Sequence, residues 1–140
     1  MRKPTEFENH PAGYEYARSI GNFRAVCKNV TDGDTIDAFI DLGMGKYAYD
    51  TIRLQGIDTA EIFHPLNTAE RNHGMAAKAR VQDLILNQPI LIKTFKDAET
   101  FGRYVAQVYY QRAKAEGGWE WHDLATQLRW EGLEKKASYA

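Results

Sequence analysis

Residues 22–57 hold three runs in which apolar and polar side chains alternate, and the connections between them are only long enough for tight turns. The first run, NFRAVCKNV (22–30), alternates at Phe23, Ala25 and Cys27; the second, TIDAFIDL (35–42), at Ile36, Ala38, Ile40 and Leu42. The third is YAYDTIRLQGI (47–57). A DGD turn separates the first two, and Gly43-Met44-Gly45-Lys46 reads as a hairpin loop before the third. Short turns between three strands predict a meander. The DGD turn is unusual in one respect: a turn explains Asp32 and Gly33, but not a further acid, Asp34, at the strand entrance.

After Glu61 the period changes. IFHPLNTAERNHG reads as a loop, with Gly74 leaving the start of the following helix open. Ala77, Val81, Leu84 and Ile85 recur at helical spacing, and Asn87 with Pro89 supplies a stop. PILIKTF gives a fourth strand and Arg103–Gln111 a fifth, joined by the charged KDAETFG. A second helix is expected in WHDLATQLRWEGL, with Trp121, Leu124 and Leu128 on one face and Gly132 at the position just past its end. Trp119, Trp121 and Trp130 are expected to pack that helix on the barrel, and Tyr47, Tyr49, Tyr104, Tyr109 and Tyr110 to be mostly core. The order predicts a mainly β fold: a five-stranded OB-fold barrel with one helix between strands three and four and a C-terminal helix. Residues 1–20, polar with Pro4 and Pro11, are expected as a flexible arm, and 21–140 as a single domain.

The 140 residues carry a formal charge of −1, so no global basic field advertises a polyanion, and any nucleic-acid binding must come from locally placed Arg and Lys. Cys27 is the single cysteine, which excludes an internal disulfide and fits a small buried hydrophobe. The N-terminal MRKPTEFENHPAGYEYARSIG lacks the apolar stretch of a signal peptide, and no apolar run reaches bilayer length. A cytoplasmic protein without membrane contact is the expectation.

Three polar clusters fall at strand ends: Asp34 with Asp32 before it; Arg53, Asp58, Thr59 and Glu61; and Arg103 after Gly102. Singly each has an ordinary explanation as a turn, a cap or a surface ion pair. Brought together, carboxylates repel unless a cation lies between them, and carboxylate and carbonyl oxygens suit Ca²⁺ or Mg²⁺ rather than zinc. His10, His64, His73 and His122 show no ligand spacing.

DGDT, then R-L-x-x-I-D-T-x-E, then G-R before an aromatic-rich strand, in that order, resembles the thermonuclease family, the staphylococcal-nuclease-like phosphodiesterases. The resemblance runs from about Val30 to Leu133. It implies a calcium-dependent nuclease acting on DNA and RNA with little sequence preference. Asp34, Asp58 and the carbonyl of Thr59 would hold Ca²⁺, with Asp32 supporting it through water. Glu61 would stand beside the attacking water, and Arg53 and Arg103, at exposed strand ends, would hold the scissile phosphate. The chain departs from the family's pattern at Ala60, where a proline is usual and the loop would be stiffer. Thr100 and Phe101 replace a Lys-Tyr pair, and Tyr139 stands for the C-terminal tyrosines, so the clamp on substrate looks altered. The alternative is a catalytically silent OB module that binds single strands or a protein partner.

Overall fold

The alternating runs become β1 (Gly21–Asp32), β2 (Thr35–Gly43) and β3 (Lys46–Leu54), paired antiparallel in sequence order. The computed structural model describes residues 21–95 and 104–140; the expected arm at 1–20 lies outside them. A helix α1 (Thr68–Ile85) follows, then β4 (Pro89–Phe95), β5 (Tyr104–Ala113), β6 (Trp119–Asp123) and a short helix α2 (Leu124–Trp130).

β1 pairs with β2 along its second half and with β4 along its first, and β4 pairs antiparallel with β5. β3 then meets β5 in a parallel ladder over Ile52–Leu54 and Tyr104–Ala106. That seam closes β1, β2, β3, β5 and β4 into a ring, the five-stranded OB-like barrel expected from the sequence. Its interior is the predicted alternation made solid: Ala25, Cys27, Ile36, Ala38, Ile52, Ile90, Ile92 and Val108 point inward, joined by Val81 and Ile85 of α1 and Leu124 and Leu128 of α2.

Two elements differ from expectation. α1 begins at Thr68, inside the stretch read as a loop, because the Asn67 side chain accepts the Glu70 amide (3.0 Å) and caps the first turn. Gly74 does not break the helix; it lets α1 approach the loop before it. A Cβ there would lie 2.6 Å from the Ala60 carbonyl oxygen. The second difference is β6. Residues 119–123 form a strand on β5, and the last helix starts only at Leu124, capped by the Asp123 carboxylate on the Thr126 amide (3.1 Å).

The tryptophans therefore do not pack that helix on the barrel. Trp119 and Trp121 face outward from β6 while Glu120 bonds Arg112 and His122 meets the edge of the Tyr110 ring, and Trp130 is 82% exposed. Leu124, Ala125 and Leu128 do the packing instead. Of the tyrosines expected in the core only Tyr110 is buried. Tyr47 and Tyr49 fall on the outer phase of β3, opposite Ala48, Ile52 and Leu54.

α2 ends in a complete Schellman motif: Gly132 takes φ +76°, its amide bonds Arg129 O (3.1 Å), and the Leu133 amide returns to Leu128 O (2.9 Å). Arg80 of α1 grips Glu131 beside this turn (2.8 Å). Cys27 is fully buried, and burial pushes its thiol up to about 11. Because only the thiolate reacts, iodoacetamide at pH 8 is expected to label native Cys27 at least about 100-fold more slowly than the denatured chain. Comparable rates, read by mass spectrometry, would show that β1 opens readily.

Candidate functional site

The turn Asp32–Thr35 owes its glycine to a close approach. Gly33 lies under α1 and the loop after β3: a Cβ at that position would sit 2.7 Å from Ala77 Cβ and 2.8 Å from Thr59 Cγ2. Asp32 shapes the turn from within, its Oδ1 accepting the Asp34 amide (3.2 Å). The Asp34 carbonyl in turn accepts the Leu54 amide (2.8 Å), so the turn is stitched to the end of β3.

Asp34 is only 9% exposed, yet each carboxylate oxygen has a donor. Oδ1 accepts the Thr35 hydroxyl (3.0 Å) and Oδ2 the Thr59 amide (3.0 Å), while Arg53 Nη2 lies 3.4 Å away. Burial alone would raise its pKa. The hydrogen bond with Asp32, the Thr59 amide and the Arg53 charge outweigh that, and hold it below the usual carboxylate range. Asp32 carries the cost: burial, then its hydrogen bond and proximity to the Asp34 carboxyl, push it up to about 6.

Arg53 stands across from Thr35 in the β2–β3 ladder, which aims its side chain at Asp34. It is not an exposed strand-end residue, for its side chain is 19% accessible. Nη1 donates to the carbonyls of Leu54 (2.8 Å) and Ile57 (2.7 Å), pinning the loop that follows, and Nη2 pairs with the Asp58 carboxylate. Asp58 itself is exposed, whereas Thr59 and Ala60 beyond it are buried. Ala60, where the resemblance leads one to expect a proline, is buried with its carbonyl packed under Gly74.

Asp32, Asp34, Arg53, Asp58 and Glu61 thus line one open, strongly polar cleft of about 440 Å³, with Thr35 and Thr59 in its wall. Lys135 lines it too, and its amide bonds the Asp58 carbonyl (2.8 Å). Nothing in the sequence marked Lys135 beyond the basic pair after Gly132-Leu133. Tyr139 is placed elsewhere, its hydroxyl on His73 (2.6 Å) and the Lys136 amide (3.0 Å). Arg103, Thr100 and Phe101 lie outside the described residues. Among the described residues, no three His, Cys, Asp or Glu side chains form a ready-made metal cage.

The family model for staphylococcal nuclease homologues matches residues 51–139. The chain belongs to that family. The matched stretch takes in Arg53, Asp58 and Glu61; the Asp32–Thr35 turn precedes it in sequence and meets it in space. No curated protein matches the chain. As a staphylococcal nuclease homologue it is a nuclease-like or nucleic-acid-binding OB-fold protein, and no helix among its described residues is long and apolar enough to cross a membrane.

For this nuclease homologue the fit at Gly33 has a direct consequence. Gly33→Ala overpacks against backbone-anchored neighbours and is expected to destabilise by about 1–3 kcal/mol. Denaturant unfolding of the variant checks it; an unchanged midpoint would mean the turn moves freely away from α1.

Proposed function

We propose that this protein is a calcium-dependent nuclease that hydrolyses phosphodiester bonds of DNA and RNA with little sequence preference. The observation that carries the reading is the buried, ionised Asp34 held beside Asp58 and Arg53 in one cleft of a staphylococcal nuclease homologue. A carboxylate kept charged out of water ties the turn to Thr59 and, beyond that, offers a ligand to a cation.

The donor chemistry fits a hard divalent cation. Asp34, Asp58 and the Thr59 carbonyl offer oxygens only, and Ca²⁺ accepts a flexible set completed by water. Asp32 would support that water shell. A bound cation would supply charge for the phosphoryl oxygens as the five-coordinate phosphorus forms. The remaining work falls to the chain. Arg53 Nη2, the guanidinium edge facing the acids, would exchange a carboxylate for a phosphate oxygen, while Nη1 stays on Leu54 and Ile57 and fixes its direction. Arg103 would hold the same phosphate. Glu61, exposed on the rim, would orient or deprotonate the attacking water. With Thr100 and Phe101 in place of a charged and a hydroxylic group, the grip on a terminal phosphate would be weaker and the products longer.

The direct test incubates purified protein with plasmid and single-stranded DNA in Ca²⁺, Mg²⁺ or chelator. Cleavage in Ca²⁺ that stops on chelation is the expected result. Binding without cleavage would assign the silent OB module instead.

The metal is also expected to appear in stability. Ca²⁺ at about 100 times its dissociation constant adds roughly 2.7 kcal/mol, so Tm should rise with millimolar Ca²⁺ and Asp34→Asn should abolish the rise. An equal rise in the variant would remove Asp34 from the metal site. Arg53→Lys loses both the fork and the loop anchor. It is expected to lower kcat by about 100-fold or more, and to lower Tm as well because the Leu54 and Ile57 carbonyls lose their donor. Near-normal kcat with a lowered Tm would make Arg53 purely structural.

A further inference from the structure

We propose that Lys135 is a substrate-binding residue of this cleft, its ammonium taking a phosphate of the nucleic-acid strand, and that residues 132–139 form a strap positioning it. The identity of the ligand rests on the nuclease reading; the strap rests on geometry alone.

The strap is anchored at both ends to α1. At its start the Gly132 carbonyl accepts His73 Nε2 (2.8 Å), and at its finish the Tyr139 carbonyl accepts Asn67 Nδ2 (3.0 Å). A carbonyl can only accept, so Nε2 carries the His73 proton and Nδ1 is left as an acceptor. The Tyr139 hydroxyl therefore donates to Nδ1 (2.6 Å) while accepting the Lys136 amide (3.0 Å). Midway, the Lys135 amide bonds Asp58 O (2.8 Å), fixing this exposed residue at the cleft's edge, where it joins the lining. A surface tail needs none of these bonds. Together they hold one residue in one place.

Charge says what that residue meets. The cleft wall holds the carboxylates of Asp32, Asp34, Asp58 and Glu61. Before a substrate arrives, its arginine is engaged by carbonyl and carboxylate oxygens of the chain itself. Among the described residues no carboxylate makes an ion pair with Lys135. A polyanion approaching this wall needs an attractive charge at the rim, and Lys135 with the neighbouring Lys136 provides it. A point charge on a long stem suits a phosphate at the cleft edge, where a rigid fork would require one fixed orientation. The expected role is binding rather than turnover.

Steady-state cleavage of a single-stranded DNA oligonucleotide in Ca²⁺, with anisotropy of its nuclease-resistant phosphorothioate analogue, tests this. Lys135→Met is expected to raise KM and Kd by about tenfold with kcat nearly unchanged, and to reduce the salt slope of binding by about one. Lys135→Arg should restore most of the affinity. Tyr139→Phe, which removes the hydroxyl between His73 and Lys136, should raise KM without lowering kcat. It should add little in the Lys135→Met background, because both act on one contact.

If the wild type cleaves and Lys135→Met leaves KM and Kd unchanged, the Lys135 proposal is wrong and the nuclease reading stands. Binding without cleavage, weakened by Lys135→Met, would sink the nuclease reading and keep Lys135. No binding by the wild type would overturn both.

Discussion

The Asp34 carboxylate accepts the Thr59 amide across 25 residues of sequence, and that hydrogen bond joins two loops that carry acids of the cleft. One loop is the β1–β2 turn, the other the segment leaving β3. Bonded to each other, and to Arg53, they act as one rigid unit. The electrostatics follow from the same contact. A donor on each oxygen favours the charged form of Asp34 despite burial, while burial first, and then the neighbouring Asp34 carboxyl, make Asp32 reluctant to ionise.

Sterics set how close the loops come. α1 presents Gly74 and Ala77, one turn apart on the same face, and each receives a different loop: Gly74 the Ala60 carbonyl, Ala77 the Gly33 turn. Larger residues on this face would lift both loops and lengthen the Asp34–Thr59 bond. The helix thus acts on the site by being small where it touches. Its polar side chains work at a distance from the cleft, with Arg80 on the cap of α2 and His73 on the terminal strap.

The barrel was legible in the sequence because strand alternation and two-residue turns are local signals, and the acids because they stand in ordered motifs at strand ends. What escaped was set by tertiary contact. WEWHD carries no helix breaker and shares its tryptophans with the following helix, so only its pairing with β5 marks it as a strand. Gly74 reads as a flaw in a helix until the Ala60 carbonyl is placed against it. Arg53 looks like an exposed strand end, but the turn at Gly56 brings the Leu54 and Ile57 carbonyls back over its guanidinium. Lys135 reaches the cleft only because Gly132 reverses the chain in a left-handed conformation, and a glycine before a leucine does not announce where the next residues go.

The parallel ladder between β3 and β5 is three residues long, and Arg53 is its middle rung on one side. Its partners lie 52 residues apart, against 63–73 for the β1–β4 ladder, and these two non-local pairings carry a closure entropy that the tight turns of the meander do not. Assembly of the meander and of the β4–β5 hairpin can precede both, and the seam then fixes the end of β3 that carries Arg53 against β5. An intermediate with the seam open would hold most of its strands while the end of β3 that carries Arg53 lacked its neighbour on one side. Full order of that wall of the cleft would then arrive only with closure of the ring, and would be the first property surrendered when the barrel loosens.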